Sequence, residues 1–117
     1  MQLPKESVLL RIFLGEDDKH GGKPLYEALV LKAREMRLAG ATVLRGPMGF
    51  GHSSRMHTAK VLRLSEDLPM VVEIVDSEDK IRGFVEAIEA MMGSALVTLE
   101  RVTVIQYGPP ANADPVR

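Results

Sequence analysis

Cysteine is absent from the 117-residue chain, which excludes disulfides, thiolate metal sites and a cysteine nucleophile, and suits a reducing compartment. Tryptophan is absent too, and aromatic residues reach only 4%, too few for base-stacking platforms. Neither sign of charge prevails: 15 basic residues stand against 16 acidic ones, for a net charge of -1. A nucleic-acid footprint needs a basic surplus gathered on one face, so no nucleic-acid partner is expected. No stretch approaches the roughly 20 apolar residues of a membrane-spanning helix. Met1 to Ser7 is polar and carries no cleavable apolar segment, so the expected location is the cytoplasm. What is there is an ordinary globular balance, 45% hydrophobic and 26% charged, in a length that suits one domain.

The apolar pattern sets the element order. Val8 to Leu14 is almost wholly apolar and closes on Gly15, which predicts a strand. A polar stretch follows, Glu16-Asp17-Asp18-Lys19-His20-Gly21-Gly22-Lys23, and Pro24 suits the first turn of a helix. Leu25, Leu29, Ala33 and Met36 repeat at helical spacing, with Gly40 placed as the cap. Ala41 to Arg45 predicts a second strand, Val61 to Leu64 a short one and Met70 to Val75 a third full one. Asp76 or Ser77 caps a second helix with an apolar face of Ile81, Phe84, Val85, Ile88, Met91 and Met92, ended by Gly93. Ala95 to Tyr107 predicts a long last strand, closing a single domain of residues 1–107 before a disordered tail, 108–117. The order β-α-β-β-α-β is that of the α+β ferredoxin-like sandwich, a four-stranded antiparallel sheet with two helices on one face.

Two helices cover one face of four strands, so the strands of a lone copy should alternate apolar and polar. These do not. Val8, Leu10, Ile12 and Leu14 point one way, yet Leu9 and Phe13 point the other; Met70 to Ile74 alternates poorly, and Ala95 to Leu99 is apolar on both sides apart from Thr98. Such a face predicts a second covering, for which closed symmetric self-association is the commonest answer. Arg11, Glu73, Glu100 and Arg101 read as cross-strand or interface pairs.

The first two strands of this topology are parallel, so the segments after strand one, strand two and helix two meet at one end of the sheet. That end gathers Glu16 to Lys23, Arg45 to His57 and Met92 to Ser94, with all three histidines, His20, His52 and His57. Arg45-Gly46-Pro47-Met48-Gly49-Phe50-Gly51-His52 holds three glycines in six positions. Glycine lets backbone N–H groups turn towards a ligand and lets phosphate approach, while Lys23, Arg45 and Arg55 supply cations. No Gly-Lys-Ser/Thr follows as in a P-loop, and no helix follows as in a dinucleotide fingerprint. The plainer alternative is a flexible loop whose glycines serve turns. The histidines allow a metal alternative, His20, His52 and His57 with Glu16, Asp17 or Asp18 around zinc or copper; loop histidines are more often solvated, and no metal is assigned. Ser53 and Ser54 lack a nucleophile-elbow pattern, and no triad or carboxylate pair stands out, so the chain is read as no enzyme. Glu16-Asp17-Asp18 reads as a solvated loop.

Several stretches in one order, Leu14-Gly15-Glu16-Asp17-Asp18-Lys19-His20, Gly22-Lys23-Pro24-Leu25, Gly40-Ala41-Thr42-Val43, Arg45 to His52, and Asp67-Leu68-Pro69 with Glu73-Ile74-Val75-Asp76, resemble the PII-like family catalogued as domain of unknown function 190. The resemblance runs from about Val8 to Gln106. It implies a homotrimer with sheets packed around a central axis and an adenine nucleotide in the cleft between subunits. It further implies a signalling role for the long loop between strands two and three, the T-loop. The matching loop-base positions are Arg45, Gly46, Gly49, Phe50, Gly51 and His52, with His20, Lys23 and the turn at Gly93 as neighbours in the cleft. No tyrosine lies between Arg45 and Pro69, so PII-type uridylylation has no acceptor. Met92-Gly93-Ser94 is too short for the usual glycine-and-lysine grip on a triphosphate, which makes AMP or ADP the expected ligand. The resemblance also suggests a membrane transporter or channel as client. Its alternative is a trimeric metal-binding protein of the copper-tolerance type that uses the loop histidines.

Overall fold

The computed structural model describes residues 3–51, 57–58 (backbone only) and 67–109. Along the chain run β1 (Glu6–Gly15), β2 (Lys19–His20), β3 (Lys23–Pro24), α1 (Leu25–Glu35), β4 (Thr42–Arg45), β5 (Met48–Gly49) and β6 (His57–Thr58). They are followed by β7 (Pro69–Asp76), α2 (Glu78–Ile88) with a 3-10 turn at Glu89–Met91, and β8 (Leu96–Thr103). The main sheet has the order β4-β7-β1-β8, every neighbouring pair antiparallel. This is the expected ferredoxin-like sandwich. The expected strand Val61 to Leu64 and the tail from residue 110 lie outside the described residues.

The core forms where the alternation of β1 and β7 meets the apolar stripes of the helices. Val8, Leu10, Ile12 and Leu14 share a face with Met70, Val72 and Ile74, and onto it pack Leu25, Leu29 and Ala33 of α1 and Ile81, Phe84 and Ile88 of α2. Burying each of the larger side chains contributes about 1.5–3 kcal/mol. Val85, Met91 and Met92 flank the cluster half-buried, completing the helical face read from the sequence.

Three local readings are corrected. Gly40 does not cap α1. The helix ends at Glu35, and Arg37 takes the left-handed cap position at φ +62, with Leu38 N donating to Ala33 O at 3.0 Å and Arg37 N to Arg34 O at 3.1 Å. Lys80 Nζ closes that carbonyl end by donating to Arg37 O at 2.7 Å, a tertiary contact with no local signature. The last strand stops at Thr103 rather than Tyr107; Val104 N turns to Lys5 O, and Tyr107 Oη donates to Ala39 O at 2.7 Å. The polar stretch after β1 folds as a hairpin, Lys19 opposite Pro24 and His20 opposite Lys23, over Gly21 and Gly22 at φ +59 and +81. Two central residues with positive φ are what a type I′ turn requires, which explains the glycine pair.

Of the two candidate caps for α2, Ser77 is the one used, its Oγ accepting from Lys80 N at 3.3 Å. Asp76 has another task. Buried at 2% exposure, it accepts from Ala39 N at 2.8 Å and Ser77 N at 2.7 Å, tying the connection between α1 and β4 to the end of β7.

Among the described residues no helix lies on the other face of the sheet. Leu44, Val71, Phe13 and Leu96 stand in register across all four strands and form one apolar row, in which Leu44, Phe13 and Leu96 are 49%, 36% and 59% exposed. In the next row Arg11 bonds Glu73 at 2.9 Å and also pairs with Glu100. The Glu73 bond leads in raising the Arg11 guanidinium above its ordinary value. Leu9 and Val75 are paired beyond it. The face is therefore apolar with a charged belt, as its sequence pattern suggested.

Replacing Asp76 by Ala strands the Ala39 N–H, for an expected loss of about 2 kcal/mol. Thermal or urea unfolding reads this as a lower midpoint, and Asp76→Asn recovers only part of it.

Candidate functional site

β1 and β4 leave the sheet, and β7 enters it, at the same end. Gly15 lies opposite Pro69 and Arg45 opposite Met70, so these three strand ends lie side by side. Glu16 N donates to Leu68 O and Gly46 N to Pro69 O, each at 2.8 Å. The acidic run, expected as a solvated loop, is built into this end. Asp18 Oδ2 accepts from Gly15 N at 3.0 Å and Asp18 O accepts from Leu25 N at 2.7 Å. Asp67 Oδ1 accepts from Asp17 N at 2.8 Å, and the Glu16 carboxylate is ion-paired with Arg45. Hydropathy shows three acids in a row; it does not show that their partners arrive from residues 45 and 67.

The expected ligand residues divide into groups. His20 and Lys23 face each other on the exposed β2–β3 hairpin, next to Lys19, and none of the three has an ion pair among the described residues. Arg45 ends β4 with a side chain 56% exposed, held by Glu16. Gly46 and Gly49 lie against Pro69: a Cβ would stand 3.0 Å from Pro69 Cγ at Gly46 and 3.2 Å at Gly49. These two glycines admit a proline ring, a use the loop composition did not reveal, and the Gly46 N–H is already donated to Pro69 O. Among the described residues nothing comes within 4 Å of a Cβ at Gly51, and Phe50 is 64% exposed. Within the stretch from Gly46, β5 and β6 pair Met48 with Thr58 and Gly49 with His57, a ladder that a plain loop would lack. His52 and Arg55 lie outside the described residues, and His57 enters only as backbone. Among the described residues no three His, Asp or Glu side chains gather as metal ligands.

Gly93, at φ +56, turns the chain into β8. It shares the end of the sheet with Arg45 but not its edge. With β7 and β1 between β4 and β8, three strand spacings separate the two edges, roughly 14 Å. Within one chain, the grouping of Arg45 and Gly93 in one cleft is therefore split. A groove of about 230 Å³ opens elsewhere, among Leu9, Ala39, Thr42, Glu73, Val75 and Tyr107 on the helix-free face. It is mainly apolar, and its one carboxylate already bonds Arg11, so it gathers no set of polar groups for a ligand.

Comparison with known proteins gives the family. The model of DUF190, described as an uncharacterized ACR family, matches residues 7–104. The chain belongs to the DUF190 family. Within it, a UPF0166 protein of Aquifex aeolicus (strain VF5) is 45% identical over 97 residues, 83% of this chain and 91% of the relative. A second UPF0166 protein of that organism is 30% identical over 99 residues, 85% of this chain and 97% of the relative. Among solved structures, CPII, a nitrogen regulatory PII-like protein from Thiomonas intermedia K12 bound to ADP, AMP and bicarbonate, superposes with a TM-score of 0.65 at 16% identity, over 85% of this chain and 88% of that one. A protein from Thermus thermophilus classed as PII-like signaling gives 0.61 at 16% identity, over 85% and 89%. This DUF190 chain thus has the PII-like fold.

The tightest approach at the site end is at Gly15, where a Cβ would stand 2.7 Å from Asp67 Oδ1. Gly15→Ala pushes away the carboxylate that holds Asp17 N, at an expected loss of about 1–2 kcal/mol. Hydrogen exchange should speed up at the Asp17 amide in that variant while the β1–β7 ladder amides keep their protection pattern.

Proposed function

We propose that this DUF190 protein is a PII-like regulatory protein, not an enzyme, which binds an adenine nucleotide, AMP or ADP, between the copies of a homotrimer. In this reading the protein is cytoplasmic, and the segment between β4 and β7 signals occupancy to a partner, the proposed client being a membrane transporter or channel. The observation that carries the reading is the split of the loop end. Arg45 and the β5–β6 ribbon sit at one edge of the sheet and the Gly93 turn at the other, while the helix-free face between them is apolar. Copies that cover one another's helix-free faces bring unlike edges together, and the two halves of the site then face each other across a seam. Exposed apolar area of this kind is a common mark of self-association.

The chemistry suits a phosphorylated ligand. Lys19 and Lys23 offer cations on a hairpin that also carries His20, and Arg45 offers the fork geometry that phosphate accepts. The PII-like structure bound to ADP and AMP supports an adenine nucleotide as the first candidate. An ordered ribbon beside the anion site provides a way to turn binding into a contact, since loops ordered by phosphate are a common switching device.

Calorimetric titration with AMP, ADP, ATP and cyclic AMP, on protein whose mass is followed by sedimentation, tests this. The expected result is a particle of three copies that binds AMP or ADP, with Arg45→Ala weakening binding roughly tenfold through loss of a charge-assisted hydrogen bond. No heat with any nucleotide at millimolar concentration removes the ligand assignment, and a folded single subunit at micromolar concentration removes the seam.

A further inference from the structure

The guanidinium that the described residues place at the loop end is already occupied. Arg45 is ion-paired with Glu16, a carboxylate of its own chain. Both partners are anchored through their backbones. Glu16 N is bonded to Leu68 O, and its neighbours are pinned by Asp17 N to Asp67 Oδ1 and by Gly15 N to Asp18 Oδ2. Arg45 is in ladder register with Met70, and the next residue donates to Pro69 O. The Glu16 side chain is 22% exposed against 56% for Arg45, so the carboxylate sits on the inner side of the pair and the guanidinium on the outer. With the backbones fixed, only side-chain rotations can open the pair.

We infer that Glu16 is an internal competitor for the anion site: it holds Arg45 until an external anion displaces it, and so decides which anions are accepted. This inference rests on the proposed anion-binding role of Arg45. Exchanging one carboxylate for another gains nothing at a guanidinium. A phosphate dianion brings more charge and a further acceptor oxygen, and it meets the planar fork in two parallel hydrogen bonds. The site is thereby tuned to phosphate and against monocarboxylates. The hairpin cations, Lys19 and Lys23, have no such carboxylate among the described residues, which leaves Arg45 as the selective contact.

The test compares ADP affinity in the full chain, Glu16→Gln, Arg45→Gln and the double variant, with sodium phosphate and sodium acetate as competing probes. Glutamine keeps the shape of Glu16, and the backbone bonds of residue 16 do not involve its side chain, so the variant is expected to fold. Removing the competitor should tighten ADP binding about two- to fivefold, the scale of an exposed ion pair. In the Arg45→Gln background the same change should have little effect, an outcome that a purely structural role of Glu16 does not produce. Excess phosphate should compete with ADP in the unmodified protein, and acetate should not. Unchanged or weaker ADP binding in Glu16→Gln overturns the inference, as does competition by acetate equal to that by phosphate, while the nucleotide reading survives either. If the unmodified protein binds no ADP but Glu16→Gln gains phosphate binding, the nucleotide reading falls and the inference stands. Silence of both proteins towards ADP and phosphate ends both.

Discussion

β7 lies hydrogen-bonded between β1 and β4, with Gly15 opposite Pro69 on one side and Arg45 opposite Met70 on the other. The register is specified because Met70, Val72 and Ile74 must all face the helices; a slip of one residue would turn them to the bare face and bring Val71 and Glu73 into the core. With that register set, the exits of β1 and β4 are two strands apart at one end, close enough for Glu16 to reach Arg45. Pro69 is then held against Gly46 and Gly49, and Asp67 against Gly15. The site end is a consequence of strand pairing rather than of any loop motif.

The two faces of the sheet do different work. The helical face closes around Phe84, Leu10 and Ile12, all fully buried, and accounts for the stability of the single chain. The bare face keeps large apolar side chains partly in water, interrupted by the Arg11 belt with its two glutamates. A charged belt across an apolar face favours one alignment of a covering partner over others, because misplaced charges would be left desolvated. In the single chain of this DUF190 protein that face is left uncovered by its two helices.

The element order, the core face of each helix and the surplus of apolar residues on the sheet were legible because they are periodic, and a period can be read from one chain. The meeting of three segments at one end was legible too, since it follows from topology alone. Less legible were short-range features with weak signals: the Gly21-Gly22 hairpin turn was there to be recognised, whereas Arg37 in a cap position usually held by glycine was not, its carbonyl end being closed by Lys80 from another helix.

Composition and periodicity by themselves determined the fold class, the helical core and the presence of cationic and glycine-rich segments at one end. Tertiary structure alone decided what those segments do. Glu16 of the acidic run gained Arg45 as a partner and Asp18, still exposed, gained Gly15 N, two glycines were claimed by a proline ring, and Arg45 was separated from Gly93 by the width of the sheet. The physical reason is range. Burial patterns are properties of neighbouring residues along the chain, whereas an ion pair or a close approach depends on which distant residues the strand register brings within a few ångströms.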